Sequence, residues 1–300
     1  ENVVLAPYTT FKIGGPAFFF LEVQNETEIL EGINWAKAKY YPYCVLGGGS
    51  NVLISDSGFR GLVIKNEISF IKEPAGNIIE AGAGVFFGNV IMAAVNAGLG
   101  GLEWGIGIPG TLGGAIYGNA GAFGHSIREA VKEARVLEEN GRIKIYKNKD
   151  CRFGYRESVF KRQNSIILSA RLEFSRQSPE ILRQSMREFA KNRPPSPPFP
   201  SAGCAFKNIE FKNLPAEAQK MIPPDKVKGG KTPAGFLIQS VGLAGKRAGG
   251  AKIWEVHCNY IINADNASAK DAMELIRACK KLVYDKFGVL LEEEIRQIGF

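Results

Sequence analysis

An α+β fold assembled from three units is the expectation for this chain. Short apolar runs that end in glycine turns alternate with amphipathic helical stretches, a glycine-dense segment occupies the middle, and a proline run interrupts the last third. Eleven glycines fall between Gly98 and Gly124. No helix or strand interior tolerates that density, because glycine costs about 0.5–1 kcal/mol relative to alanine inside regular structure. With 300 residues and 45% hydrophobic content, the chain can bury more than one core.

The spacing Asn25-Glu26-Thr27-Glu28 marks a helix start, and apolar Ile29, Ile33 and Ala36 continue one face. Tyr43–Leu46 reads as a short buried strand running into the Gly47-Gly48-Gly49 turn, and Gly61–Ile64 as a second strand. Asn77–Ala81 and Arg135–Leu137 are strand-like, Val85–Ala97 helical, and Glu180–Asn192 a basic helix. Five prolines among Arg193–Pro200 exclude both helix and central strand, so this stretch reads as a stiff linker. Ser268–Phe287 sets Ala272, Leu275, Ile276, Cys279, Leu282, Val283 and Phe287 on one helical face, a core stripe. Leu290–Arg296 is a final strand-like stretch.

Composition excludes several classes. No run of about 18 apolar residues suggests a membrane span, and Glu1-Asn2-Val3 lacks the basic and apolar regions of a signal peptide. The five cysteines, at 44, 151, 204, 258 and 279, are odd in number and never spaced CxxC. They read as reduced cytoplasmic thiols, and with only two histidines they predict neither a disulfide framework nor a metal site. The net charge of +8 is spread along the chain without a basic tract, which disfavours nucleic acid and suits small di- and triphosphates.

The segment Gly105–Gly124 carries no charge at all, so its backbone N–H groups suit a bulky phosphate-bearing ligand. Its literal GxGxxG, Gly105–Gly110, is not a dinucleotide fingerprint, because Pro109 and Gly113-Gly114 do not fit a turn that opens a long helix. Gly229-Gly230-Lys231-Thr232 ends like a P-loop, but Asp225 stands where the wrapping glycine is required. Three further segments each join flexible backbone to a reactive group. Gly154–Ser158 carries Arg156, Ser201–Asn208 places the Cys204 thiol after two small residues, and Leu290–Arg296 holds Glu292, Glu293 and Glu294. Singly these read as a surface ion pair, a small buried residue and a solvated edge.

These segments follow Thr10–Ala17, Leu46–Asn51 and Ile108–Ala115 in order, and are joined by Ala234–Ile238 and Glu294–Gly299. In that order the chain resembles the bacterial UDP-N-acetylenolpyruvoylglucosamine reductases of peptidoglycan precursor synthesis. The resemblance implies a three-domain flavoprotein with a two-part module of the vanillyl-alcohol-oxidase (PCMH) type binding FAD noncovalently. Residues 1–66 would form the first FAD subdomain, with 289–300 returning to it, residues 67–176 the second, and 177–288 a substrate domain. The cofactor would be lined by Gly47, Gly48, Gly49, Ser50 and Asn51, by Ile108, Pro109, Gly110, Thr111, Gly113, Gly114 and Ala115, and by Asn119 and Gly121.

The family's reaction uses NADPH as hydride donor and reduces UDP-N-acetylglucosamine enolpyruvate to UDP-N-acetylmuramate. Hydride addition at C3 pushes negative charge onto C2 and its carboxylate, where preorganised charge is usually the largest catalytic contribution. The resemblance assigns the positive charge to Arg156 and the polarising carboxylate to Glu294, which that role requires protonated or bridged by a donor. It makes Cys204 the proton donor to C2, where the best-known members carry serine. A thiol, with an ordinary pKa of about 8.5, is far the stronger acid.

Leu291-Glu292-Glu293-Glu294 stands where the family often has Leu-Glu-Pro-Glu. The register of Ile295-Arg296-x-Ile298-Gly299 makes Glu294 the match and Glu292 the alternative. The stretch from Arg156 to Cys204 is too short for an inserted substrate-covering tyrosine loop, as in the family's shorter second type. Tyr155, Lys207, Asn208 and Asn259 are the implied substrate contacts, with Arg193, Lys246 and Arg247 as further candidates. The resemblance also implies a cytoplasmic monomer. Two other readings are another FAD-linked oxidase, with His125 available for covalent attachment, and a non-catalytic nucleotide-binding module.

Overall fold

A computed structural model describes residues 1–300, which form two compact α+β units. One comprises Glu1–Phe18, Gly49–Arg60 and Ser196–Phe300; the other comprises Phe19–Gly48 and Gly61–Pro195. For brevity these are the C-terminal and the central unit. This partition differs from three consecutive stretches because the pieces 1–18 and 49–60 complete the core of the last third. The border at Pro195–Ser196 falls inside the proline run, which has no regular structure.

The central unit has two cores. In the first, Asn25 caps helix Glu26–Ala38 by accepting the Glu28 N–H at 3.0 Å, while the Glu28 carboxylate accepts Gln24 N–H at 2.6 Å. The apolar stripe Ile29, Ile33 and Ala36 is buried with Val23, Leu62 and Ile64. Behind it the strands run in the order Pro16–Val23, Phe59–Asn66, Tyr43–Leu46, the last two parallel. In the second, an antiparallel sheet runs Ile143–Lys147, Val131–Leu137, Ile166–Glu173, Ile78–Gly82. Ile166 and Leu168 face the first core, while Ala170 and Leu172 face the second, beside Val90 and Ile91 of helix Phe87–Asn96 and Leu182 of helix Pro179–Asn192. The faces exchange because the strand bulges at Leu168, where Val136 pairs with Ile167 and the next residue, Arg135, with Ser169. A sheet buried on both faces is thus a rigid platform for the loops at its ends.

The C-terminal unit is built on helix Ala269–Phe287, capped by reciprocal bonds between Ser268 and Asp271 and closed by Gly288 at φ +63°. Ala272, Leu275, Ile276, Cys279, Val283 and Phe287 are buried as expected, whereas Leu282 is 37% exposed at the flank of the stripe. The strands run Ser201–Cys204, Tyr260–Asn263, Ala251–Ile253, Arg247–Ala248. Phe11, Ile13 and Leu53 belong to this core. Asp56 accepts the N–H groups of Ala269 and Lys270 at 2.7 and 2.9 Å, and strand Arg296–Ile298 pairs in parallel with Val52–Ile54. The strand begins only at Arg296, so Glu292–Glu294 lie ahead of it rather than within it.

Candidate active site

In the central unit the two glycine loops meet main chain to main chain. A Cβ on Gly47 would lie 2.7 Å from Thr111 Oγ1, and one on Gly48 would lie 2.7 Å from Gly110 Cα. Leu112 and Gly113 donate to Val85 O and Ala83 O at 2.8 and 2.9 Å, and Phe87 N donates to Gly110 O at 3.0 Å, so the sheet edge holds the Gly110–Gly113 loop. Thr111 accepts the Gly114 N–H at 3.3 Å. Gly113 lacks a Cβ for another reason, because one would strike Ala83 at 2.9 Å. Ala115 is buried, while Gly114 is exposed and a Cβ there would meet nothing nearer than Thr111 Oγ1 at 3.6 Å.

Two residues expected on the cofactor serve the fold. The carboxamide of Asn119, 4% exposed, donates to Gly154 O at 2.7 Å and accepts Arg128 N–H at 3.3 Å. Gly121 opens a tight hairpin in which a Cβ would strike His125 O at 2.5 Å. His125 itself is paired through Nδ1 to Glu129 at 2.9 Å.

Arg156 sits on a strained turn. Gly154 and Glu157 exchange two backbone bonds of 2.9 and 3.2 Å, which forces Arg156 to φ +53°. A non-glycine residue there costs about 1–2 kcal/mol, and such strain persists only where the surroundings over-determine it. Here Asn119 holds Gly154 O, Lys161 Nζ donates to Arg156 O at 2.7 Å, and Ser158 Oγ donates to Tyr117 O at 2.7 Å. The guanidinium carbon stands 5.6 Å from the ring centroid of the exposed Tyr155. Arg193 donates to Trp104 O at 2.8 Å and lies 5.4 Å from the Phe123 ring centroid.

In the C-terminal unit three segments lie side by side. Glu294 N donates to Ala205 O at 2.8 Å, Lys207 N to Glu292 O at 2.9 Å, and Phe206 bridges Glu293. On the other edge Ala205 N donates to Asn259 O at 2.7 Å, and the Asn259 carboxamide takes both Phe206 N–H and Phe206 O. Ala205, the residue after Cys204, therefore ties the Cys204 segment to Glu294 by one backbone hydrogen bond, and Cys204 and Glu294 are both half-buried. The remaining carboxylates are engaged elsewhere. Glu292 is exposed and pairs with Lys207, while Glu293 is clamped by Lys280 of the long helix and by Gln297. That clamp escaped sequence reasoning, because no local spacing relates residue 280 to 293.

Gly49, Ser50 and Asn51 belong to this unit rather than to the one carrying Gly47 and Gly48. Gly49 at φ +62° packs against Tyr8 O, where a Cβ would stand at 2.1 Å. Asn51 Nδ2 donates to Glu294 O and Arg296 N to Asn51 O, both at 3.0 Å. Asn208 accepts Ala234 N–H at 3.1 Å. Lys246 and Arg247 are exposed.

The central unit's loops fit a dinucleotide diphosphate. Gly48 backs onto the Gly110 main chain too closely for a side chain, Gly114 is open to solvent, and residues 105–124 contain no carboxylate to repel the anion.

Comparison with known proteins agrees with this picture. The family model described as UDP-N-acetylenolpyruvoylglucosamine reductase, C-terminal domain, matches residues 195–298, and an FAD binding domain model matches residues 18–146. The UDP-N-acetylenolpyruvoylglucosamine reductase of Solibacter usitatus is 38% identical, over 98% of this chain and 95% of its own. That of Prochlorococcus marinus is 37% identical over 100% of this chain and 98% of its own. The crystal structure of the reductase from Thermus caldophilus superposes with a TM-score of 0.79 at 33% identity, covering 99% of this chain and 98% of that one.

Proposed function

This chain belongs to the UDP-N-acetylenolpyruvoylglucosamine reductase family, and from that membership we propose how its residues divide the work. It is a flavoenzyme that reduces UDP-N-acetylglucosamine enolpyruvate to UDP-N-acetylmuramate for peptidoglycan synthesis, with NADPH as the donor. When bound, FAD supplies the hydride relay from NADPH to the enolpyruvyl C3. Gly47, Gly48 and Gly110–Ala115 of the central unit hold its diphosphate through main-chain groups.

Arg156 takes the substrate carboxylate and stabilises the charge that develops there. Its over-determined backbone fixes the base of the side chain before substrate arrives, which supports the preorganisation that makes such charge effective. Cys204 delivers the proton to C2. Glu294, carried on the same peptide ladder, polarises or hydrogen-bonds the enolate oxygen, and requires a proton or a bridging donor to do so. Lys207 and Asn208 contact the uridine diphosphate portion, and Tyr155 is a further substrate contact. The observation that carries these roles is the backbone ladder that ties the Cys204 segment to Glu294.

The enzyme works as a monomer in the cytoplasm; no helix is long and apolar enough to cross a membrane. The test is NADPH oxidation measured with purified protein. One NADPH consumed per enolpyruvyl substrate added is the expected result. Oxidation independent of that substrate would indicate a different FAD-linked oxidase.

A further inference from the structure

Asn259 is 2% exposed, and both ends of its carboxamide face one residue. Phe206 N–H donates to Oδ1 at 3.0 Å, and Nδ2 donates to Phe206 O at 2.8 Å. The reason lies in the strand beside it. Ser201 pairs with Ile262 and Cys204 with Tyr260, so the first strand carries an extra residue at Ala202-Gly203, where Gly203 takes φ +80°. A bulge of this kind bends a strand and re-aims the adjoining side chains. Beyond Tyr260 the partner turns away, since Tyr260 N donates to His257 O at 2.9 Å and Trp254 N to Tyr260 O at 2.9 Å. On this edge, opposite its bridge to Glu293, Phe206 has therefore run out of main-chain partner two residues after Cys204 and one before Lys207.

We infer that Asn259 is a positioning residue whose carboxamide stands in for the missing peptide neighbour and fixes the Cys204 thiol relative to Glu294. A carboxamide presents a C=O acceptor and an N–H donor side by side, as one residue of a strand edge does, so it continues the ladder for one more residue. The opposite edge, Glu294 N to Ala205 O and Lys207 N to Glu292 O, then sets both reactive groups from the same rigid segment. This assignment replaces the expectation that Asn259 contacts the uridine diphosphate. It rests on the reading that Cys204 is the proton donor.

The experiment uses the FAD-loaded enzyme in rapid-mixing half-reactions. In Asn259→Asp the ionised carboxylate still accepts Phe206 N–H but cannot donate to Phe206 O; once protonated, its O–H restores that bond. Burial raises the pKa of such a carboxyl, which brings the switch toward neutral pH. Reoxidation of the reduced enzyme by the enolpyruvyl substrate should slow about 10- to 100-fold near neutral to mildly alkaline pH and recover toward wild type as the pH falls. Reduction by NADPH should be unchanged. Asn259→Leu should be slow at every pH. As a readout apart from turnover, alkylation of Cys204 by iodoacetamide should show the same pH-dependent departure from wild type in Asn259→Asp.

Wild-type reoxidation rates in both variants would overturn the inference, as would a raised substrate KM with unchanged kcat, which returns Asn259 to ligand binding. Should the leucine variant fail to fold, the pH recovery of Asn259→Asp decides, and its absence counts against the inference. Failure of the wild-type enzyme to couple NADPH oxidation to the enolpyruvyl substrate would instead overturn the functional reading itself.

Discussion

The glycine loops of the central unit and the three-segment ladder of the C-terminal unit both fix main chain where a ligand is to be met, but by opposite means. The loops do it by subtraction. Gly47 and Gly48 approach Thr111 and Gly110 because neither carries a side chain, and the loop edge is nailed to the sheet by bonds to Val85 and Ala83. The ladder does it by addition. Asn259 supplies an extra amide, Lys280 and Gln297 clamp Glu293, and Asn51 holds Glu294 O. A surface meant for a cofactor's diphosphate needs access and no charge, so it discards side chains. A surface that, in the role proposed above, places a proton donor needs restraint, so it accumulates them.

That contrast predicts different failures. The largest effect belongs to the ladder. Cys204→Ala should slow substrate-driven flavin reoxidation by about 10² to 10⁴, the usual worth of a positioned acid, while leaving reduction by NADPH intact. Cys204→Ser should recover part of the loss. Equal slowing of the two half-reactions in rapid-mixing traces would remove Cys204 from the proton-donor role.

Next in size is damage to the loops. Gly48→Ala must push its Cβ into Gly110 backbone, an overpacking cost of roughly 1–3 kcal/mol. The expected signature is loss of bound FAD, read as the ratio of absorbance near 450 nm to that at 280 nm after gel filtration. A variant that keeps a full flavin complement would mean that the loops can part without consequence.

Asn119→Ala tests whether the central unit also contains a ladder-like restraint. It removes one of the two partners of Gly154 O, the other being Glu157 N–H, and the carboxamide partner of Arg128 N–H, costing about 0.5–1.5 kcal/mol per bond lost, and loosens the turn that holds Arg156 at positive φ. Lower kcat with undiminished FAD binding is expected. Flavin loss with normal kcat would return Asn119 to the cofactor.

The smallest effect is on acid stability, and it separates the units by salt. Backbone N–H donation from Ser268 holds the Asp271 carboxyl below its ordinary range, and the Arg135 guanidinium does the same for Glu26. Both folded pKa values are depressed, so the stabilisation is present above the ordinary carboxyl pKa and is lost as pH falls toward the folded value. The half-exposed Glu26–Arg135 pair, worth roughly 0–1 kcal/mol, should fade in high salt, whereas the Asp271 contribution should persist. Thermal unfolding of Glu26→Gln and Asp271→Asn below about pH 5, at two salt concentrations, checks it. Equal salt sensitivity would contradict the assignment.

Local signals were readable in the amino-acid string. Asn25 with Glu28, Ser268 with the apolar stripe to Phe287, and the charge-free glycine segment each declare themselves within a few residues. Leu282 misled because the stripe's edge is set by tertiary packing. Asn119, Gly121 and Asn259 were expected on ligands because they lie within or near the matching motifs. The structure engages Asn119 and Asn259 with backbone 35 and 53 residues away, distances no local pattern encodes. Glu293 is similar: three consecutive carboxylates look alike until Lys280 claims the middle one.

One feature of the chain path bears on how the protein is made. Phe11, Ile13 and Leu53, 1%, 2% and 0% exposed, are buried in a core whose other members lie between Ala202 and Ile295. During synthesis these early residues must wait for the last third to emerge from the ribosome, on the order of 10 s at ordinary elongation rates. The central unit's own cores, drawn from residues 23 to 182, are available sooner. Vectorial translation therefore favours a nascent chain with its middle folded and its two ends still apolar and unshielded, the interval in which chaperone capture has most to protect.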